Sequence, residues 1–222
     1  MATTQQLTMP VSSMPSPVRR LLLVLGSTLV VALILFGGFT LLDIAAHHTY
    51  DVRSSYAAVQ SLEIDDGSGR VALTGSTAGG RVTLTQHVSQ GLTSPRRAAT
   101  LGPGGVLRLT SGCSGFDLEC RVGYAVTVPV GIPVTVNSGA GDVSASDLHT
   151  AGVVHLSSGA GDISATDISG QTIQLSSDAG DVVARRIGAP QLRLSSGAGD
   201  ITADVTSPVG KLVAGSGAGD VT

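Results

Sequence analysis

Five aspartates are the residues of this 222-residue chain whose type and spacing most invite chemistry. Asp142, Asp162, Asp181, Asp200 and Asp220 stand 20, 19, 19 and 20 residues apart, each closing a Gly-rich segment. Carboxylates repeated in this way either accept backbone N–H bonds in tight turns, as Asx turns do, or share calcium, as the GGxGxD turns of β-rolls do. Calcium takes about six to eight oxygens, and one acidic turn per long period falls short of that. The spacing predicts structural turn aspartates, with a calcium-binding β-roll as the alternative. Stacked about 4.8 Å apart, neighbouring carboxylates would repel by about 0.9 kcal/mol even at water's dielectric, so the ladder requires compensation.

The other reactive types form no catalytic constellation. Cys113 and Cys120, separated by SGFDLE, are the only cysteines. They lack CxxC spacing and have no nearby Cys or His to complete a zinc site. They predict a local disulfide if this region lies outside the cytoplasm, and free thiols if it is not oxidised. His47 and His48 adjoin each other, His87 falls in a strand-like segment, and His149 and His155 flank a turn, a scatter that reads as solvent-facing. Asp65-Asp66 reads as a turn pair. Serine is abundant without a GxSxG elbow or an SxxK motif, and no phosphate-cradling glycine loop occurs. No catalytic, cofactor-binding or metal residues are assigned, and the chain is expected not to be an enzyme. Lys and Arg are too dispersed for a nucleic-acid patch.

The elements that hold these residues follow from the repeat itself. NSGAGDVSA, SSGAGDISA, SSDAGDVVA, SSGAGDITA and GSGAGDVT are near-identical copies beginning at Asn137, Ser157, Ser176, Ser195 and Gly215. Before each glycine turn apolar residues alternate with polar ones: Val134 and Val136, Val154 and Leu156, Ile173 and Leu175, Leu192 and Leu194. After the turn Val143 and Ala145, Ile163 and Ala165, Val182 and Ala184, Ile201 and Ala203 repeat the alternation. Two half-buried strands per period predict an all-β fold, a β-solenoid or β-roll of 19–20-residue coils. The Ala positions form a column that lets opposite sides approach, in keeping with a chain that has no Trp, three Phe and three Tyr.

Residues 61–136 carry the same grammar in worn form. SLEIDDGSGRVAL has Arg70 where the aspartate would stand, RVTLTQHV and VLRLTSG alternate, and YAVTVPVGIPVTV reads as two strands separated by a proline turn.

Ahead of this lies LLLVLGSTLVVALILFGGFTLL, residues 21–42, free of charge and preceded by Arg19 and Arg20. About 20 such residues cross a bilayer core as a helix, and the arginine pair places the amino terminus in the cytoplasm. The expected organisation is a disordered cytoplasmic tail at 1–20, a transmembrane helix at 21–42, a polar juxtamembrane stalk at 43–60 and an extracytoplasmic solenoid at 61–222. A cleaved signal peptide is the rival reading, although its apolar region is ordinarily only about 7–15 residues. Ending two residues after a repeat aspartate, the solenoid reads as truncated or as completed by a partner.

The SLEIDDGSGRVAL opening, the Cys113–Cys120 segment running into YAVTVPVGIPVTV, and the serial SGAGDV/SGAGDI copies together resemble the putative adhesin family, a bacterial domain of unknown function found in membrane and surface proteins. The resemblance covers about residues 59–222 and implies an extracytoplasmic β-solenoid with a role in adhesion or sensing. It defines no catalytic residues. Asp178 departs from it, standing where the other copies have glycine. The function expected is non-enzymatic display on the cell envelope: a surface-binding or structural module contacting the bilayer through residues 21–42 and a surface protein or glycan through its solenoid. A membrane-tethered sensor or accessory subunit is the alternative.

Overall fold

The computed structural model describes residues 16–45, 48–77, 80–90, 94–113, 120–206 and 208–222, with helix side chains described from 23 to 38. The chain divides into two compact units, Met1–Ile44 and Ala45–Thr222.

The first unit is a helix, α1, Ser16–Ala45. Pro17 lies in its first turn, where a missing N–H costs no hydrogen bond, and the straight-chain leucines that follow favour helix. The helix therefore begins inside the segment expected as a disordered tail, of which residues 1–15 lie outside the described residues. Its large apolar side chains from Leu23 to Phe36 are 53–68% exposed. Ser27 and Thr28 return their hydroxyls to the carbonyls of Val24 and Leu25, both at 2.9 Å. Among the described residues no helix is long and apolar enough to cross a membrane. Of the segment expected to span a bilayer, 21–42, the side chains of 21, 22 and 39–42 lie outside the described residues.

The second unit is all β. Its strands are β1 His48–Ala57, β2 Ser61–Asp66, β3 Val71–Ser76, β4 Arg81–Gln90, β5 Arg96–Leu101, β6 Val106–Gly112, β7 Arg121–Pro129, β8 Val134–Ser138, β9 Val143–Ser146, β10 Val153–Ser158, β11 Ile163–Ser169, β12 Thr172–Ala179, β13 Val182–Gly188, β14 Gln191–Ala198, β15 Ile201–Val205 and β16 Lys211–Ser216. Sheet 1 runs β1-β4-β7-β3-β9-β11-β13-β15, and sheet 2 runs β16-β14-β12-β10-β8-β2-β6-β5. From β8 onward each coil gives one strand to each sheet and pairs in parallel, in register, with the next: Leu156 opposite Leu175, Ile163 opposite Val182.

The first half does not stack in sequence order. The β2–β3 coil is wedged between the β6–β7 coil and the β8–β9 coil, so that Leu62 faces Leu107 on one side and Val134 on the other. The chain leaves β3 into β4, which pairs antiparallel with β7, and builds the β6–β7 coil on the outer side. The proline linker then returns it past the β2–β3 coil to the β8–β9 coil: the Val130 N–H donates to the Ser76 carbonyl at 3.2 Å and the Gly131 N–H to that of His149 at 2.8 Å. Antiparallel β1, β4 and β5 close this end. Residues 43–60, expected as a polar stalk, thus contain a sheet strand, because Val52, Ser54 and Tyr56 of β1 alternate inward against β4.

Between the sheets runs one core. Leu62, Ile64, Leu107, Leu109, Val134, Val136, Val154, Leu156, Ile173 and Leu175 come from sheet 2, and Val71, Leu73, Tyr124, Val143, Ala145, Ile163, Ala165, Val182 and Ala184 from sheet 1, each at most 3% exposed. A third inward column of sheet 2 is serine. Ser158, Ser177, Ser196 and Ser216 donate to the carbonyls of Gly141, Gly161, Gly180 and Gly199 at 2.8–2.9 Å, tying each coil to the turn of the one before. Ser138 precedes them in this column with a buried hydroxyl that has no partner among the described residues. Ser177→Ala should therefore cost about 1 kcal/mol, the usual worth of a buried hydrogen bond, whereas Ser138→Ala should be neutral or stabilising. Thermal melts of the two variants read the difference directly.

Candidate binding surface

The aspartate corner is a hydrogen-bond ladder. An Oδ1 of Asp142, Asp162, Asp181 and Asp200 accepts the backbone N–H of the next aspartate along, at 3.3, 2.9, 2.8 and 2.8 Å. The partner is the amide of the following coil, not one within the same glycine turn. Each carboxylate is thereby held against a backbone donor, which offsets the repulsion between stacked charges. Arg70 meets the other oxygen of Asp142 at 3.2 Å from the preceding coil, so a basic residue sits where the acidic ladder begins. Among the described residues no group of three or more His, Cys, Asp or Glu is placed to hold a metal ion.

Cys113 and Cys120 are disulfide-bonded, with Cα atoms 5.9 Å apart. With Arg70, Arg121, Gly69 and Asp142 they border an open cleft of about 650 Å³. The histidines are spread over the surface: His87 Nδ1 lies 2.7 Å from Asp51, His149 Nδ1 2.9 Å from the Ser169 hydroxyl, and His155 Nδ1 3.2 Å from Gln174 Oε1. His47 lies outside the described residues.

Asp65 and Asp66 stand at the strand end ahead of the expected turn, which Asp66 closes through its side chain. They end β2, where Asp65 accepts from Asn137 Nδ2 at 2.9 Å, and Asp66 turns inward to occupy the serine column, 5% exposed. There it accepts the Gly69 N–H at 2.6 Å and the Ser111 hydroxyl. Burial pushes its pKa up from 3.8, partly opposed by those hydrogen bonds. Tyr124, buried beside it, has its phenol raised chiefly by the same desolvation. Because the native state holds the Asp66 proton more tightly than the unfolded chain, its contribution favours folding below pH 3.8 and is lost as pH rises through the elevated native value. Asp66→Asn should remove that loss. Urea midpoints at pH 3 and pH 7 should show the variant gaining on the native protein at the higher pH, and a gap that does not change with pH would refute the assignment.

The two outward faces are built by the same registers that build the core. Sheet 1 carries an unbroken column of hydroxyls, Ser55, Thr83, Thr127, Thr74, Ser146 and Thr166, on six successive strands. The central column of sheet 2 reads Thr100, Arg108, Glu63, Thr135, His155, Gln174, Arg193 and Val213. Its members contact one another along the column, as in Arg108 Nε to Glu63 at 2.9 Å and His155 to Gln174. Gln174, Gln191, Arg193 and Lys211 rim a shallow dent of about 60 Å³, room for a small polar group. The alternation that marks the strands also identifies these outward residues.

Residues 119–222 match the family described as Toastrack DUF4097. The match covers β7 and the regular coils from β8 onward, and it bears out the resemblance to an adhesin-like domain of unknown function. A solved structure of a putative cell adhesion protein from Clostridium sporogenes is similar at 10% identity with a TM-score of 0.55, over 78% of this chain and 98% of that one. A putative adhesin from Bacteroides fragilis is 16% identical with a TM-score of 0.43, over 78% and 96%. No curated protein matches the chain in sequence. The first of these structures supports the fold, including the irregular coils ahead of the Toastrack region.

Proposed function

We propose that this chain is a membrane-anchored display protein that acts by binding, without turnover, a surface protein or glycan on the outward face of sheet 2. The observation that carries the reading is the central column of that face. From Arg108 to Arg193 it aligns charged, amide and imidazole groups in register on a rigid sheet, where little side-chain freedom is left to lose on binding. The adhesion-related description of the Clostridium sporogenes structure supports the class of function. The anchor is α1: residues 21–42 are uncharged, and its described apolar side chains are exposed. Arg19 and Arg20 then keep the amino terminus in the cytoplasm and put the Toastrack region outside.

Capture from intact cells by the full chain should fall at least about tenfold when His155, Gln174 and Arg193 are together replaced by alanine. Equal capture, or a hydrolytic or transfer activity abolished by one outward substitution, would refute the reading. Protease added to intact cells should digest the solenoid and spare the amino terminus; the reverse would refute the topology.

A further inference from the structure

We infer that β1 is a self-pairing edge and that the solenoid dimerises through it, a second copy of this chain adding antiparallel to β1 to make one continuous sheet 1. Among the described residues β1 borders sheet 1 with β4 as its sole neighbour, and the two pair without interruption from His48 to Ala57. It is a ten-residue edge strand with neither proline nor bulge, the kind that accepts another strand. It also overhangs. Beyond the β6–β7 coil sheet 1 adds two strands and sheet 2 adds one. The inward face of β1 is covered there by Arg97, whose guanidinium lies 5.4 Å from the Tyr50 ring and donates to Gln86 at 3.0 Å. Tyr50 remains 39% exposed.

Charge along β1 selects the occupant and its register. A two-fold axis perpendicular to a sheet preserves its faces, so only pairings that match inward with inward and outward with outward residues are allowed. Centred on Val52, such a pairing sets Val52 against Val52, Asp51 against Arg53 in both directions, Thr49 against Ser55, and Tyr50 against Ser54. Nine residues of each strand overlap. The neighbouring permitted registers, centred on Asp51 or on Arg53, set two aspartates or two arginines face to face, which is destabilising. Within each copy Asp51 already meets His87 and Arg53 lies beside Thr85. The outward column would then read His87, Asp51, Arg53, Thr85 across the join. Charges that ordinarily blunt an edge are spaced here so that a copy of the strand meets them with the opposite sign.

Directly opposed strand residues have Cα atoms about 4.5–5.5 Å apart, within disulfide reach. Val52→Cys in the full chain, in detergent under mild oxidation, should therefore give a covalent dimer, and Ser55→Cys, about 20 Å from its copy along the join, should not. Arg53→Asp added to Val52→Cys should lower the cross-linked yield at least tenfold, and Asp51→Arg together with Arg53→Asp should restore it. The inference is overturned if position 52 does not cross-link, if position 55 cross-links equally well, or if the yield ignores the charge reversal. Association through α1 alone would give one of these last two results, and a monomeric chain or an edge reserved for a different protein would give the first.

Discussion

Gly161→Ala is expected to destabilise the solenoid by about 3 kcal/mol, the upper part of the range for forcing an atom into a packed interior. In a region of this size that is a fall of roughly 6–12 °C in Tm. A Cβ on Gly161 would lie 2.5 Å from the Gly141 oxygen and 2.6 Å from its carbonyl carbon, both backbone atoms that no rotamer change can move. The same approach recurs up the corner: a Cβ on Gly180 would meet the Gly161 oxygen at 2.4 Å. Relief in one coil therefore displaces the next, and the Asp162 and Asp181 rungs attached to these turns would lengthen together. Gly159→Ala is the control. Its Cβ would approach the Gly139 oxygen just as closely, at 2.5 Å, yet the equivalent place one coil on is occupied by Asp178. There β12 continues through Ala179, which pairs with Ala198, so the backbone can open at this site. The cost should be about 1 kcal/mol, toward the low end of the same range. Thermal unfolding of both variants measures the difference, and equal losses would show that the conserved backbone approach is not what fixes the second glycine of the turn.

The features visible in the sequence are those with a period. Alternation at Val154 and Leu156 or Ile163 and Ala165 marks an inward face whatever lies above or below it, because side-chain direction is set by the pleat. The five turns announce their stacking by resembling one another. The order of coils in the first half has no such signature. β2–β3 has two open edges, and nothing in SLEIDDGSGRVAL says that a later segment, β6–β7, will occupy one and β8–β9 the other. One signal was present in Arg70: a basic residue in the aspartate's place is what the start of an acidic ladder calls for, and it lies against Asp142. A double aspartate before Gly-Ser-Gly has turn composition, and Asp66 does hold that turn through the Gly69 N–H, but from a buried strand position. Strand parity continued from Leu62 and Ile64 would have sent it inward, into the position that serine holds in the regular coils. β1 has the composition of a stalk because it closes an end, where one side of the alternation is only half covered and polar residues are retained.

The thickness of the core varies along the axis, and this yields the second large effect. One inward column of sheet 1 runs Ser54, Leu84, Val126, Leu73, Ala145, Ala165, Ala184, Ala203, residues directly opposite one another on successive strands. Near the closed end the column is filled by large side chains, and in the Toastrack coils by alanine alone, with Leu73, Ala145, Ala165 and Ala184 all at most 3% exposed. The column is buried on both sides of the β3–β9 junction, so the available volume must differ across it. Ala165→Leu adds three carbons at a site with no exposure, flanked above and below by alanines whose strands are fixed in register; it should cost about 3 kcal/mol or more. Leu73→Ala empties the wide side and should cost about 2–5 kcal/mol through lost burial and the cavity left behind. Ala145→Leu, beside Leu73 at the junction, should fall below Ala165→Leu because the neighbouring coil is already spaced for leucine. Tm values of the three variants test the gradient. If Ala165→Leu melts with the native protein, the alanine column is not what sets the separation of the two sheets.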